Sequence, residues 1–228
     1  MEKRHTGTLA RPLTWAAWAV RWMLIATLFV PVTLLQHPAQ RQTASQSVLV
    51  PEAQQPRPKE LVRVYSIVRH HRPDLSEAET WRLSEVIWKE SSGYGLDPML
   101  VLAVIDVESK FQYGAVSPAG ARGLMQILPY VAKALLQEIG LHHGFWSSPF
   151  RPEFLDDPVL NIKLGIYYLH DLRKNFRNLR HALTAYNMGP TKTKNHLDND
   201  LELSDEYATA VLAAYQQYKN NKTKLPTF

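Results

Sequence analysis

The sequence predicts an all-α globular part behind an apolar N-terminal segment. Three observations carry that expectation. From Lys59 onward apolar residues recur with helical spacing, and no strand-like alternation of any length is present. Helix-start signals recur: Ser76 and Glu79 have capping-box spacing, and Asp97-Pro98 and Asp157-Pro158 each set an N-cap before a proline. Glycine or proline then falls where several of these segments should stop.

Taken in order, the chain opens with Lys3, Arg4, Arg11 and Arg21 ahead of Trp22–Leu35, an apolar run broken only by Thr27, Pro31 and Thr33. Bases before an apolar stretch read as an export signal. Adding Leu13–Val20 gives about 20 membrane-compatible residues around Arg21, long enough for a spanning helix with Trp15, Trp18 and Trp22 at an interface. A cleaved signal and an uncleaved anchor both fit residues 1–35, and either carries the rest out of the cytoplasm. Residues 36–58 are rich in Gln, Pro and Ser without periodicity and read as a linker. The globular domain is expected over 59–228.

Within it, Lys59–Arg72 is a helix stopped by Pro73, and the helix capped by Ser76 runs to about Ser92. Pro98–Lys110 is apolar nearly all round until its last turn, the pattern of a buried central helix. Phe111–Leu128 holds Gly114, Pro118, Gly120 and Gly123, and reads as a loop with room for a small hairpin. Pro129–Ile139 follows as an amphipathic helix, then a loop over 141–157. Further helices are expected from Pro158 to about Phe176, over Asn178–Tyr186, and over Ser204–Asn220.

Charge and composition exclude several functions. Lys+Arg 26 against Asp+Glu 21 gives +5 over 228 residues. Residues 1–72 hold ten bases and three acids, a net +7, which leaves 16 bases and 18 acids, a net −2, for the remainder. The basic excess belongs to residues 1–72, so the remainder of the globular part does not read as a nucleic-acid binder. The absence of cysteine excludes disulfides, thiol catalysis and lipidation on cysteine. His70-His71 and His142-His143 are adjacent pairs without the i, i+4 spacing of a zinc helix, so no metal site is expected.

Glu108 is the acid that stands out. It lies in the last turn of the buried helix, on the stripe of Val101, Val104 and Ile105. Desolvation and the negative end of the helix both favour its neutral form, the state a general acid needs. The glycine-bearing loop directly after it offers backbone that can close on a ligand. Asp106, at i−2, projects to the far side of the helix, whereas Asp156 or Asp157 could be brought near by folding.

The ordered run Glu108-Ser109-Lys110-Phe111, Val116-Ser117-Pro118-Ala119-Gly120-Ala121-Arg122-Gly123-Leu124-Met125-Gln126-Ile127-Leu128-Pro129 resembles the signature of SLT-type lytic transglycosylases. Their domain is similar to goose-type lysozyme. Further matches keep the family's order: Tyr94-Gly95-Leu96-Asp97-Pro98, Asn161-Ile162 with Gly165 and Tyr168-Leu169, and Ala185-Tyr186-Asn187-Met188-Gly189-Pro190. The resemblance covers about residues 77–220. It implies a lysozyme-like helical fold, a peptidoglycan substrate, and no cofactor.

Carried over position by position, the resemblance makes Glu108 the single catalytic acid/base and Tyr186 the residue that hydrogen-bonds and orients it. Ser117 and Gln126 would contact N-acetyl sugars, Met125 would line the cleft, and Asn187 would order its motif and reach substrate. Glu108 would protonate the oxygen between N-acetylmuramic acid and N-acetylglucosamine, then accept a proton from the muramic C6 hydroxyl as it closes a 1,6-anhydro ring. A lysozyme-like hydrolase and a non-catalytic peptidoglycan-binding scaffold stay open on the sequence. The expected location is the periplasmic side of the bacterial envelope, with the inner membrane as a partner where the N-terminal segment is uncleaved; association with a secretion or conjugation machine stays open on the sequence.

Overall fold

The structure, a computed structural model, describes residues 57–139 and 149–220. The expected signal or anchor at 1–35, the linker up to residue 56, and the pair His142-His143 lie outside the described residues. Among those described, the regular elements are all helices, with no strand.

Helix α1 (Lys59–His71) carries Arg69 in its last turn, where a cation complements the helix dipole. It buries Leu61, Val64, Tyr65, Ile67 and Val68. Helix α2 (Glu77–Gly93) starts as its spacing predicts: Glu79 N–H donates to Ser76 Oγ at 3.2 Å, and Ser76 N–H donates to Glu79 Oε2 at 2.9 Å. Tyr65 of α1 stacks on Trp81 of α2 with ring centroids 3.9 Å apart.

Helix α3 (Pro98–Ser109) is the axis of the fold. Asp97 caps it by accepting from Met99 N–H at 2.9 Å, and every residue from Pro98 to Ile105 is buried. It packs against α8 (Glu206–Asn220), α2 and α1. Its end is abrupt, because Lys110 (φ 51°) and Phe111 (φ 63°) are both left-handed, a conformation that non-glycine residues adopt at a cost. The buried Phe111 ring, stacked on His71 at 4.3 Å, offsets that cost and turns the chain off α3 one residue past Ser109.

The expected hairpin is reduced to two isolated antiparallel bridges, Val116 with Arg122 and Arg122 with Ile127. Helix α4 (Pro129–Glu138) follows, then a 3₁₀ turn over Pro152–Asp156 within the segment expected as loop. Helix α5 (Pro158–Phe176) starts on Asp157, which accepts from Leu160 N–H at 2.7 Å. It packs on α2, α4 and α6 (Leu179–Met188).

One expectation is corrected. Residues 189–203 carry a helix, α7 (Pro190–Asp198), where none was predicted. Its buried face is Thr193 alone, so it lacks the apolar stripe by which a helix shows in sequence. Lys192 and Lys194 are exposed on it.

Candidate active site

Glu108 sits half-buried in the last turn of α3, directly beyond Val101, Val104 and Ile105, which have no exposed surface. The Tyr207 hydroxyl, from the first turn of α8, donates to Glu108 Oε1 at 2.6 Å. Burial raises the carboxyl pKa to about 7, while the Tyr207 hydrogen bond pulls the other way. The acid thus holds its proton much closer to neutral pH than an ordinary carboxyl, with one donor already aimed at its ionised form.

Tyr186 lies in the same place but does not orient Glu108 by a hydrogen bond. Its hydroxyl donates to the Met125 carbonyl at 2.9 Å. That phenol is 8% exposed, so it needs a protein acceptor, and the loop backbone supplies one. The bond expected from Tyr186 is made by Tyr207 instead. The Tyr186 and Tyr207 rings lie parallel (6°) with centroids 6.5 Å apart, and Tyr168 meets the other side of Tyr186 at 5.2 Å. Burial and the nearby Glu108 charge push both the Tyr186 and Tyr207 phenols well above their ordinary value. They stay protonated and act as donors.

The loop after α3 is held to the acid from two sides. Ser109 Oγ lies 2.8 Å from the Leu124 carbonyl, joining the helix end to the loop. Asn161, fully buried on α5, satisfies its whole amide on backbone. Its Oδ1 accepts from Met125 N–H at 2.7 Å, and its Nδ2 donates to Arg122 O at 2.8 Å and Leu155 O at 3.0 Å. Gly123 (φ +78°) is required there: a Cβ would overlap the Asn161 amide and the Leu155 carbonyl.

The remaining expected site residues divide. Gln126, left-handed at φ 47°, donates both amide protons inward, to Ala115 O at 3.0 Å and Gly123 O at 2.9 Å. Its Oε1 is what remains to meet a ligand. Ser117 shapes the loop, its Oγ accepting from Ala121 N–H at 3.0 Å. Asn187 is exposed next to Tyr186. Met125 does not line an open surface: its side chain is fully buried and packs on Gly165, where a Cβ would overlap it. The size of methionine and the missing Cβ of Gly165 let α5 close on the loop, which makes Met125 core.

The three aspartates raised beside Glu108 are committed elsewhere. Asp156 holds Arg122 in a bidentate pair at 3.0 and 2.7 Å, and Asp157 caps α5. Asp106 accepts from Tyr218 at 3.1 Å and pairs with Lys110 at 3.1 Å, on the far side of α3 as its spacing predicts. His71 stacks on Phe111 and meets the Tyr218 hydroxyl. Among the described residues no cluster of three or more His, Asp or Glu is placed to hold a metal ion.

Tyr207 and Asn161 are the residues whose roles the sequence left unread. Asn161 showed only as a family match, and Tyr207, 99 residues from Glu108, carried no motif.

This geometry meets its counterparts among known proteins. The model of the transglycosylase SLT domain family matches residues 85–222. The membrane-bound lytic murein transglycosylase C of Edwardsiella ictaluri is 32% identical over 134 residues, covering 55% of this chain and 36% of that one. Its counterpart in Glaesserella parasuis serovar 5 is 34% identical over 132 residues, covering 54% and 35%. The chain spans about a third of the length of these relatives. Among solved structures, the 70 kDa soluble lytic transglycosylase of Escherichia coli superposes with a TM-score of 0.54 at 23% identity, over 69% of this chain and 28% of that one, a likeness of fold. The family match covers most of the chain and all of the site: this chain belongs to the transglycosylase SLT domain family.

Proposed function

We propose that the domain is a peptidoglycan lytic transglycosylase, with Glu108 as its single general acid/base. The observation that carries this reading is the condition of Glu108, a half-buried carboxyl with its pKa raised to about 7. A carboxyl so poised can give a proton to a leaving oxygen and, moments later, take one back. In the first step its proton passes to the oxygen between N-acetylmuramic acid and N-acetylglucosamine as positive charge develops at C1. Tyr207, donating to Oε1, then stabilises the carboxylate that forms. In the second step that carboxylate accepts the proton of the muramic C6 hydroxyl, whose oxygen attacks C1 and closes the 1,6-anhydro ring. The nucleophile is already part of the substrate, so no water has to be activated and no cofactor is called for.

The commitment of Asp106, Asp156 and Asp157 to structural bonds supports one carboxylate over two, and hence ring closure over hydrolysis. Tyr186 is a positioning residue that holds the Met125 backbone against the acid. Gln126 through Oε1, Ser117 and Asn187 are the groups left to contact the N-acetyl sugars. The relatives are named as membrane-bound, and the apolar residues up to Leu35 fit a tether that holds this domain on the periplasmic face of the inner membrane. Among the described residues no helix is long and apolar enough to cross a membrane. A place beside a secretion or conjugation machine would give such a tether its use.

Digestion of purified peptidoglycan, read by mass spectrometry, tests the reaction. The wild type should release muropeptides with anhydro ends, and Glu108→Gln should release none. Reducing ends would mean hydrolysis, and undiminished cleavage by Glu108→Gln would place the acid elsewhere.

A further inference from the structure

Tyr130 is the most exposed large hydrophobic side chain among the described residues, at 70%. It stands on the first turn of α4, fixed in place by Pro129 and four residues beyond Gln126. Val116, 54% exposed, belongs to the same loop through its bridge to Arg122 and that residue's bridge to Ile127. An exposed phenol and an exposed valine therefore flank the loop that closes on Glu108.

Behind Tyr130, α4 packs on α5, which carries Tyr168. Burial first, then the nearby Tyr130 and Asp171, raise the Tyr168 pKa to about 12. Tyr168 meets Tyr186 at 5.2 Å, Tyr186 lies parallel to Tyr207 at 6.5 Å, and Tyr207 holds Glu108. Three phenol rings, Tyr207, Tyr186 and Tyr168, lead outward from the acid, and Tyr130 on the adjoining helix is the one that stands mostly in solvent.

We propose that Tyr130 is an outer stacking platform of the glycan cleft, taking the face of a sugar beyond the pair at the cleaved bond. This deepens the glycan-cleaving reading and rests on it. A pyranose offers C–H groups on its faces and hydroxyls at its rim, so a flat exposed ring buries the former and leaves the latter in water. A protein partner is the poorer occupant. One ring and one valine fall far short of the ~800 Å² per side of a stable interface. A polymer threaded past Glu108, by contrast, must cross whatever borders the loop. The platform sits on a helix, so it is rigid before the strand arrives and loses little entropy on binding.

The test is the affinity for long glycan strands freed of their peptides, measured by calorimetry in the Glu108→Gln background so that no cleavage intervenes. Adding Tyr130→Ala should weaken binding roughly two- to tenfold. Tyr130→Phe and Tyr130→Trp should keep the affinity, because the ring face acts and not the hydroxyl. Gln137→Ala, exposed further along α4, should change nothing. Unchanged affinity in Tyr130→Ala, or Tyr130→Phe as weak as Tyr130→Ala, overturns the platform. Wild-type cleavage of the same strands keeps the two claims apart. If the wild type cleaves while Tyr130→Ala binds undiminished, only the platform falls; if the wild type neither binds nor cleaves, the glycan reading falls and the platform with it.

Discussion

At Glu108 two demands meet in one side chain. Burial raises its pKa to about 7 and makes it an acid at neutral pH, while the Tyr207 hydrogen bond keeps it from rising further and readies it as a base. An acid consumed by ionisation predicts that kcat/KM falls as pH rises through about 7, with the slope of one proton. Tyr207→Phe removes a donor to the carboxylate, so the protonated form gains and the same limb should move up by about one pH unit. A pH–rate profile on soluble glycan strands checks both. A limb that stays in place in Tyr207→Phe would mean that the 2.6 Å bond does not tune the acid. Tyr186→Phe acts through a different partner, the Met125 carbonyl, and should slow the reaction by loosening the loop while leaving the limb where it is.

The helices were legible in the sequence where their ends carry chemistry, and much less so elsewhere. Ser76, Asp97 and Asp157 each cap the helix they were expected to start, because a short polar side chain before an apolar stripe has few other uses. Helix α7 shows the converse, since its start signal, Gly189-Pro190, precedes a segment with one buried residue. Glu108 could be found because desolvation is written in the stripe before it. Tyr207 could not, since its meaning depends on how α8 lies across α3. The spacing of α8 still held a trace: Tyr207 and Tyr218 are eleven residues apart, three helical turns, on the face that buries Val211 and Ala214. Those tyrosines, with Tyr215, hydrogen-bond acids at both ends of α3, namely Glu108, Asp106 and Asp97. Between α5 and the loop the contact is steric. Gly165→Ala should cost about 1–3 kcal/mol, because the new methyl meets the buried Met125 side chain. Met125→Ala in the same chain should recover part of that loss. Denaturant unfolding of the two single variants and the pair measures the coupling, and strict additivity would count against the contact.

For the molecule as a whole, the site sets a stability that varies with pH from two directions. The folded state raises the Glu108 pKa from 4.5 to about 7, so over that range it holds a proton the unfolded chain releases. Stability must then fall as pH rises from 4.5 through about 7, by at most about 3 kcal/mol. His71 works in the opposite sense. Burial against Phe111 and Tyr218 lowers its pKa below 6.5, although the Asp106 charge favours its protonated form and His70 and Lys110 disfavour it. The folded state resists that proton, so stability is lost as pH falls below 6.5. The thermal midpoint should therefore peak on the acid side of neutrality and decline toward pH 8, the larger effect belonging to Glu108. Glu108→Gln keeps the shape and removes the charge. It should be more stable than the wild type at pH 8, by a few degrees, and no more stable at pH 4.5, where the native acid is already neutral. Midpoints measured for both proteins from pH 4 to 8 decide the matter: parallel curves would mean that Glu108 is solvated like any surface acid, and convergence at low pH would mean that its catalytic poise is held against the stability of the fold.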